Sequence, residues 1–149
     1  MVNLGETVAI KVIDIKMLKG EVHRSLLASE IDSLQSLKRC RHIIDVHHIH
    51  TNKTTTHIVT EFCEGGDLSK MISAKRGMPE SEALQLLRQI VDGYSDIYSQ
   101  RIIHRDLKPA NILLKDGQIK IADFGFAMKA SDAKKYSSYN VGSPIYMPP

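Results

Sequence analysis

The residues best suited to chemistry in this chain fall into four short blocks. In chain order these are VAIK at residues 8–11, HRDLKPAN at 104–111, DFG at 123–125 and GSPIYMPP at 142–149. The lysines of the first two blocks supply positive charge, which can stabilise negative charge that develops on a reacting group. The aspartates and the asparagine supply a proton acceptor and oxygen ligands for a hard cation such as Mg²⁺. The blocks therefore predict a site that combines cationic side chains with carboxylate and amide oxygens.

Together the four blocks resemble the signatures of the eukaryotic protein kinase family. An H-R-D-L-K-P-x-N block followed by D-F-G at the expected distance is specific, whereas each block alone would be weak. The resemblance runs from about Glu6 to the last residue. It implies an α+β, two-lobed protein-kinase-like fold and an enzyme that transfers the γ-phosphoryl group of ATP, with Mg²⁺, to Ser or Thr hydroxyls of protein substrates. Within the family, residues 61–68 and 142–147 look most like ULK-type autophagy-initiating kinases, with calmodulin-dependent-like and NIMA-like kinases as close rivals.

The resemblance implies catalytic roles for four residues. Lys11 would place a point charge on the α- and β-phosphates, and Glu30 would hold Lys11 by an ion pair. Asp106 would accept or orient the proton of the substrate hydroxyl, because a carboxylate there needs only hydrogen-bond reach and partial basicity. Lys108 would lie near the transferred phosphate, and lysine at this place marks Ser/Thr kinases rather than Tyr kinases. Ser143 would hydrogen-bond both Asp106 and Lys108.

The same resemblance implies a metal site and two packing residues. Asn111 and Asp123 would hold Mg²⁺, which prefers oxygen ligands and keeps some of its waters. His104 and Phe124 would serve as packing elements rather than as reacting groups.

Residues 60–63 resemble the hinge between the two lobes of a kinase. Thr60 would be the small gatekeeper beside the adenine pocket, and backbone groups of Glu61 and Cys63 would bond the adenine edge. Ala9 and Leu113 would sandwich the adenine ring. Cys63 is either a reactive thiol near ATP or an inert, half-buried cysteine, and we expect the second because no neighbour in the sequence lowers its pKa.

Residues 127–143 would form the activation segment. Arg105 precedes the catalytic aspartate, and kinases with that arginine are often switched on by a phosphate that the arginine clamps. The candidates for phosphorylation are Ser137, Ser138 and Tyr139, and we expect Ser138 to be the site of an upstream activating kinase.

The sequence departs from the family's pattern at both ends. The G-x-G-x-x-G loop should precede Lys11 by roughly twenty residues, but the ten residues before Lys11 do not contain it. The Ala-Pro-Glu signature appears only as the two prolines of residues 148–149. We therefore expect a partial domain, with residues 1–60 as a remnant of the small lobe, 61–66 as the hinge and 67–149 as the first half of the large lobe. The alternative is a catalytically inactive fragment that acts as a binding module, against which the intact set of catalytic residues argues.

Hydrophobic periodicity predicts the elements that position these residues. Strands are expected at residues 7–14, 43–50 and 56–62, and a hairpin at 112–114 and 119–121 around Asp116-Gly117. Helices are expected at residues 21–37, over a short stretch through Ile72, and from Pro79 onward. From residue 130 the chain is expected to be a loop. The predicted buried face of the long helix consists of Leu84, Leu87, Ile90, Tyr94 and Ile97.

Composition excludes several classes of protein. The 149 residues are 42% hydrophobic and 25% charged, which argues against a disordered chain. No apolar run exceeds three residues, so no membrane span is expected. The net charge of +3 is spread among residues of both signs, which argues against nucleic-acid binding. Two cysteines without CxxC spacing favour a reducing, cytoplasmic setting.

Four histidines lie close together in the sequence, at positions 42, 47, 48 and 50. His48 and His50 would share one face of a strand, so two interpretations arise, a zinc site or a polar edge strand. We favour the edge strand because Cys40 is the one cysteine nearby.

Overall fold

The computed structural model describes residues 5–75, 77–133 and 141–147 and places an antiparallel sheet with one helix ahead of a mainly helical part. This arrangement is the α+β architecture that the sequence predicted. The strands are Val8–Asp14 (β1), Val46–Thr51 (β2), Thr55–Glu61 (β3), Ile102–Ile103 (β4), Ile112–Lys115 (β5), Gln118–Ile121 (β6) and Met128–Lys129 (β7). The α-helices are Gly20–Ser36 (α1), Leu68–Lys75 (α2) and Glu80–Ser99 (α3).

The three-stranded sheet has the order β1–β3–β2 and carries Lys11 on its inner face. Lys11 lies opposite Ile58 in the β1–β3 register. Because opposed residues of antiparallel strands point to the same face, Lys11 shares the face of the buried Ile58. Asn52 closes the turn between β2 and β3, where its Oδ1 accepts the N–H groups of Thr54 at 2.8 Å and Thr55 at 2.9 Å. The turn thereby fixes the register of β2 against β3, the strand on which β1 pairs.

Strand β2 begins three residues later than the sequence predicted. The chain before it bonds to β6 instead, since the Ile44 N–H donates to the Ile121 carbonyl at 3.0 Å and the Ile121 N–H donates to the His42 carbonyl at 2.9 Å. Ile43 and Ile44 are buried there. Ile43 and Ile44, which the sequence analysis assigned to the strand, therefore connect the three-stranded sheet to β6.

Helix α1 confirms the predicted helix to within one residue at each end. Its buried residues are Glu30, Ser33 and Leu34, so a short stripe near its C-terminal end faces the protein. It packs against β2 and β7.

Helix α3 begins after Pro79, as predicted, but the prediction of its buried face was partly wrong. Leu84, Leu87 and Tyr94 are 45%, 52% and 40% exposed. The residues that pack inward are Leu86, Ile90, Gly93 and Ile97. The helix carries two apolar stripes, and the one that meets β6 is the stripe that includes Gly93, where the helix can approach His42 closely.

The hairpin of β5 and β6 is confirmed, with the Asp116-Gly117 turn between its strands. Both turn residues have positive φ, 50° and 72°, the backbone of the type I′ turn that Asp-Gly favours. Ile119 and Ile121 are fully buried and form the centre of the core with Ile97 and Phe124.

The segment from residue 130, predicted as a loop, contains two short 3₁₀ turns, Ala130–Asp132 and Pro144–Tyr146. The pair of two-residue strands β4 and β7 was not predicted, because two residues are too few to show a periodicity. None of the helices in the described part of the chain has the length and apolar run that a membrane span requires.

Candidate active site

Strand β1 and helix α1 bring Lys11 and Glu30 together as an ion pair. Lys11 Nζ lies 2.6 Å from Glu30 Oε1, and Glu30 is buried. Asp123 Oδ1 lies 3.5 Å from the same nitrogen. Burial disfavours the charged form of Lys11, but the hydrogen bond and charge of Glu30, with those of Asp123, outweigh it and raise the pKa of Lys11 above its ordinary value. Lys11 is therefore a fixed cation held between two carboxylates.

Asp106 is buried in a network of its own hydrogen bonds. Its Oδ1 accepts the Ser143 hydroxyl at 2.8 Å, and its Oδ2 lies 2.8 Å from Lys108 Nζ and 2.9 Å from Asn111 Nδ2. Lys108 also donates to Ser143 Oγ at 2.7 Å, so both hydrogen bonds predicted for Ser143 are present. Burial disfavours ionisation of Asp106, but the donors Lys108, Ser143 and Asn111 outweigh it and hold the pKa of the carboxyl below its ordinary value. Asp106 is thus an ionised, strongly oriented carboxylate.

His104 holds the backbone of the loop that carries Asp106. The Asp106 N–H donates to His104 Nδ1 at 3.3 Å, and His104 Nε2 lies 3.1 Å from the Ala122 carbonyl oxygen. Burial lowers the pKa of His104, and a neutral ring protonated on Nε2 satisfies both contacts. The ring also packs on Phe124, with centroids 4.8 Å apart. His104 and Phe124 are both buried, in keeping with the packing roles expected of them.

Asn111 and Asp123 present oxygen atoms that suit a hard cation. The Asn111 amide nitrogen donates to the carbonyl and to Oδ2 of Asp106, both at 2.9 Å, so its side-chain oxygen stays available as a ligand atom. The Asp123 side chain is half exposed, and its backbone has a φ of 60°. The described residues contain no group of three His, Cys, Asp or Glu side chains that could hold an ion. This donor set fits Mg²⁺, which takes few protein ligands and completes its shell with water and substrate phosphates.

A cavity of about 450 Å³ lies under the sheet and is lined by all six of the predicted nucleotide-binding residues. Its lining includes Ala9, Lys11, Glu30, Thr60, Glu61, Cys63, Leu113 and Asp123. Asp106 lines a different cavity, of about 420 Å³, together with Ser143. The structure thus brings the hinge residues and Lys11 together around one space and places the Asp106 network beside another.

The predicted hinge, residues 60–63, offers a small set of backbone groups to a ligand in the first cavity. The Glu61 N–H already donates to the Asp45 carbonyl at 3.0 Å, and the Cys63 carbonyl accepts from the Gly66 N–H at 3.2 Å. Among the described residues, the Cys63 N–H has no protein partner. A carbonyl oxygen has two lone pairs, so the Glu61 carbonyl, which accepts the Thr60 hydroxyl at 3.2 Å, can accept a second bond. One donor and one acceptor therefore remain for a planar ligand edge.

Cys63 is buried, and its thiol is held in the protonated form. Burial, followed by the nearby charge of Glu61, raises the pKa of the Cys63 thiol to about 11. Because the thiolate is the reactive species, this environment favours the inert cysteine over the reactive one. Cys40 and Cys63 are both free.

Glu61 also takes part in a contact that the sequence did not reveal. Its carboxylate is buried and lies 3.0 Å from Lys115 Nζ and 3.0 Å from Lys120 Nζ, and it accepts the Asp45 N–H at 2.8 Å. We call Glu61 and these three partners the Glu61 clamp. Burial alone would raise the pKa of Glu61, but the Asp45 N–H and the two lysines lower it below its ordinary value. The Glu61 clamp ties the end of β3 to the β5–β6 hairpin.

The predicted activation segment is described in part. Arg105 donates from Nε to the Phe126 carbonyl at 2.7 Å. Gly142 has a φ of 107°, and a Cβ there would lie 2.4 Å from the Arg105 carbonyl oxygen, so only glycine lets the chain pass at this point. The candidate phosphorylation sites Ser137, Ser138 and Tyr139 lie outside the described residues.

Three histidines share the outer face of the sheet. The ring centroids of His48 and His50 lie 6.5 Å apart, and those of His50 and His57 lie 6.4 Å apart. His42 is buried elsewhere. Strand β2 lies at the edge of the sheet, as the edge-strand interpretation requires. Since the described part of the chain has no metal-binding group of three such residues, the zinc interpretation gains no support.

Comparison with known proteins gives one family and a consistent set of relatives. The family model for the protein kinase domain matches residues 2–149. The chain is 36% identical to the serine/threonine-protein kinase atg1 of Dictyostelium discoideum over 99% of its length, which is 23% of that protein. It is 37% identical to the maternal embryonic leucine zipper kinase of Xenopus tropicalis over 97% of its length, or 22% of that protein. It is 35% identical to the serine/threonine-protein kinase ULK3 of Xenopus laevis over 99% of its length, or 31% of that protein. The chain therefore spans about a quarter of the length of these curated relatives.

Proposed function

Because the chain belongs to the protein kinase family, we propose that it forms the ATP-binding and catalytic centre of a protein serine/threonine kinase. The reaction is transfer of the γ-phosphoryl group of ATP, with Mg²⁺, to a Ser or Thr hydroxyl of a protein substrate. One observation carries the proposal. The Lys11–Glu30 ion pair lies in the same cavity as Asp123 and the hinge backbone. Relatives named as serine/threonine kinases support the choice of acceptor.

Lys11 and the hinge position the nucleotide in this proposal. The Cys63 N–H and the Glu61 carbonyl bond the adenine edge, between Ala9 and Leu113, and Thr60 borders the pocket. Lys11 places its charge on the α- and β-phosphates because Glu30 holds the ammonium from the opposite side. Phosphoryl transfer relies on such positioning and on positive charge more than on covalent help from the protein.

Asp106 orients the hydroxyl that receives the phosphoryl group. Its lowered pKa makes it a weak base, so its main contribution is to fix the direction of the hydroxyl as the proton leaves. Lys108, bonded to both Asp106 and Ser143, sets a positive charge beside the same point. Asn111 and Asp123 would hold Mg²⁺, which when bound neutralises phosphate charge.

Calorimetry of nucleotide binding to the full-length protein tests the metal role of Asp123. In the wild type, Mg²⁺ should strengthen ATP binding by about tenfold or more. Asp123→Asn should bind free ATP about as well as the wild type but should lose the gain from Mg²⁺. Asp132→Asn removes the charge of an exposed carboxylate later in the chain and is the matched control, which should keep the gain from Mg²⁺. An equal gain from Mg²⁺ in Asp123→Asn and wild type would remove Asp123 from the metal site.

Phosphate transfer to peptide libraries tests the reaction itself. The wild-type protein should phosphorylate Ser or Thr peptides, and Asp106→Asn should abolish the transfer. Transfer to Tyr peptides alone would show that the acceptor is wrong. Binding of Mg·ATP without any transfer would favour the binding module instead of the enzyme.

A further inference from the structure

Ser29, next to Glu30 on α1, makes a hydrogen bond to a residue far away in the sequence. Its hydroxyl donates to the Ala127 carbonyl oxygen at 2.7 Å, although the two residues lie 98 positions apart. Ala127 is fully buried, and its own N–H donates to the Phe124 carbonyl at 2.9 Å. The acceptor of the Ser29 hydroxyl is therefore a fixed point two residues after Gly125.

A second serine on the same helix, Ser36, makes the local hydrogen bond that Ser29 does not make. Ser36 donates to the carbonyl of Asp32, four residues earlier, at 2.8 Å, and it is exposed. This local bond is the usual one for a serine inside a helix. Ser29 instead directs its hydroxyl outward from α1 to another part of the fold. Its bond is thus a tertiary contact of the helix and not part of the helix's own hydrogen bonding.

Two side-chain bonds of helix α1 reach residues that lie far away in the sequence. Three of its seventeen residues are buried, and Lys19, the residue that caps its start, makes no side-chain capping bond. Glu30 ties the helix to Lys11 on β1, whereas Ser29 ties it to Ala127. Consecutive residues on an α-helix point about 100° apart. The two bonds therefore restrain the same turn of the helix from two different directions.

We propose that Ser29 is a positioning residue that, by binding Ala127, sets the rotation of α1 that keeps Glu30 against Lys11. Without this bond, the side-chain contact that opposes rotation of α1 at the level of Glu30 is lost, and the Ala127 carbonyl loses a donor in a buried place. The consequence for catalysis rests on the proposed function, since it matters only if Lys11 orients the phosphates. The structural coupling between α1 and residue 127 does not depend on the proposed function.

Steady-state kinetics of the full-length protein tests the effect on catalysis. Ser29→Ala should lower kcat about fivefold, which corresponds to about 1 kcal/mol, with the KM for ATP changed less than about twofold. Ser29→Thr, which keeps the hydroxyl, should restore kcat to within about twofold of the wild type. Ser36→Ala, the matched control on the same helix, should have no effect. In a Glu30→Gln background, Ser29→Ala should cause no further loss, because Ser29 acts through Glu30. A wild-type kcat in Ser29→Ala, or an undiminished fivefold loss in the Glu30→Gln background, would overturn the proposal.

Amide hydrogen exchange tests the coupling without any need for activity. In Ser29→Ala, the amides of residues 126–129 and of the C-terminal half of α1 should exchange several-fold faster than in the wild type. Ser29→Thr should exchange as the wild type does. If the wild-type protein transfers no phosphate, the proposed function fails while this measurement still decides the role of Ser29. Unchanged exchange of both segments in Ser29→Ala would show that the bond positions neither of them.

Discussion

Replacing Glu61 by glutamine tests whether the Glu61 clamp holds the end of β3 to the β5–β6 hairpin. The carboxylate accepts hydrogen bonds from Lys115, Lys120 and the Asp45 N–H, at 3.0, 3.0 and 2.8 Å. Glutamine has nearly the same shape, but it removes the negative charge and turns one acceptor oxygen into a donor. If the amide oxygen keeps the place of Oε1, the new NH₂ group faces the Lys115 ammonium. The substitution therefore changes charge and hydrogen bonding at a constant volume.

The expected loss of stability is about 2–3 kcal/mol. A hydrogen bond to a charged group contributes about 1.5–3 kcal/mol, and one such bond is lost outright. Lys120 then keeps a neutral partner, with its side chain 15% exposed, whereas Lys115, at 26%, can turn toward water. This escape keeps the cost below the roughly 3–5 kcal/mol for breaking a fully buried ion pair. For a domain of about 150–250 residues, the melting temperature should fall by roughly 5–10 °C.

Thermal unfolding of the full-length protein at several pH values measures this loss. Because the folded state lowers the pKa of Glu61 from 4.5, its stabilising effect is complete above that value. The effect is lost as pH falls through the lower, folded pKa. The difference between wild type and Glu61→Gln should therefore be largest near pH 7 and shrink as pH falls from about 5 to 3. Glu64→Gln is the control, because Glu64 is an exposed hinge carboxylate that accepts the Asp116 N–H at 2.9 Å, and it should shift the melting temperature by no more than about 2 °C.

Two results would refute the reasoning about the Glu61 clamp. A Glu61→Gln protein that melts within about 2 °C of the wild type at pH 7 would show that the negative charge of Glu61 is not needed to hold Lys115 and Lys120. A large difference that stays constant between pH 7 and pH 4 would show that the loss comes from packing and not from ionisation.

Two further predictions concern a thiol and a glycine. The pKa of about 11 for Cys63 leaves a thiolate fraction about a hundredfold below that of a thiol at its ordinary value of 9.0. A thiolate of higher pKa is also the stronger nucleophile, which offsets about tenfold of this loss. Alkylation by iodoacetamide at neutral pH, followed by mass spectrometry, should thus be about tenfold or more slower at Cys63 than at a free thiol, and alkylation at the free-thiol rate would contradict the burial. Gly93→Ala should destabilise the fold by about 1–3 kcal/mol in urea unfolding, although alanine favours helix, because the new Cβ would lie 2.9 Å from His42 Cβ and 3.0 Å from its carbonyl oxygen. Unchanged or increased stability would show that α3 has room to move away from His42.

The features that were predictable from sequence depend on neighbouring residues. The β5–β6 hairpin followed from Asp116-Gly117, because those two residues adopt positive φ and determine the turn by themselves. The bounds of α1 followed from its periodicity. The residues predicted to bind the nucleotide came from the resemblance to protein kinases, and the structure gathers all six of them around one cavity.

The features that were missed depend on partners far away in the sequence. Glu61 and Lys115 lie 54 positions apart, and no local pattern pairs a particular glutamate with a particular lysine. The buried face of α3 was partly wrong for a related reason. Its sequence contains two apolar stripes, and periodicity cannot tell which of them meets β6. The outcome depends on Gly93, whose missing side chain allows the close approach to His42.

The site is positioned by polar contacts between elements more than by the elements themselves. The Glu61 clamp fixes the end of β3 against the hairpin, and the Lys11–Glu30 pair fixes α1 against β1. Asp106 follows the same pattern, because all the hydrogen bonds that lower its pKa come from groups that also orient it. A carboxylate stabilised in this way is a weaker base, but its direction is fixed. For the proposed transfer this suits a residue that aligns a hydroxyl, since the barrier in phosphoryl transfer is lowered by alignment and charge and requires little proton abstraction.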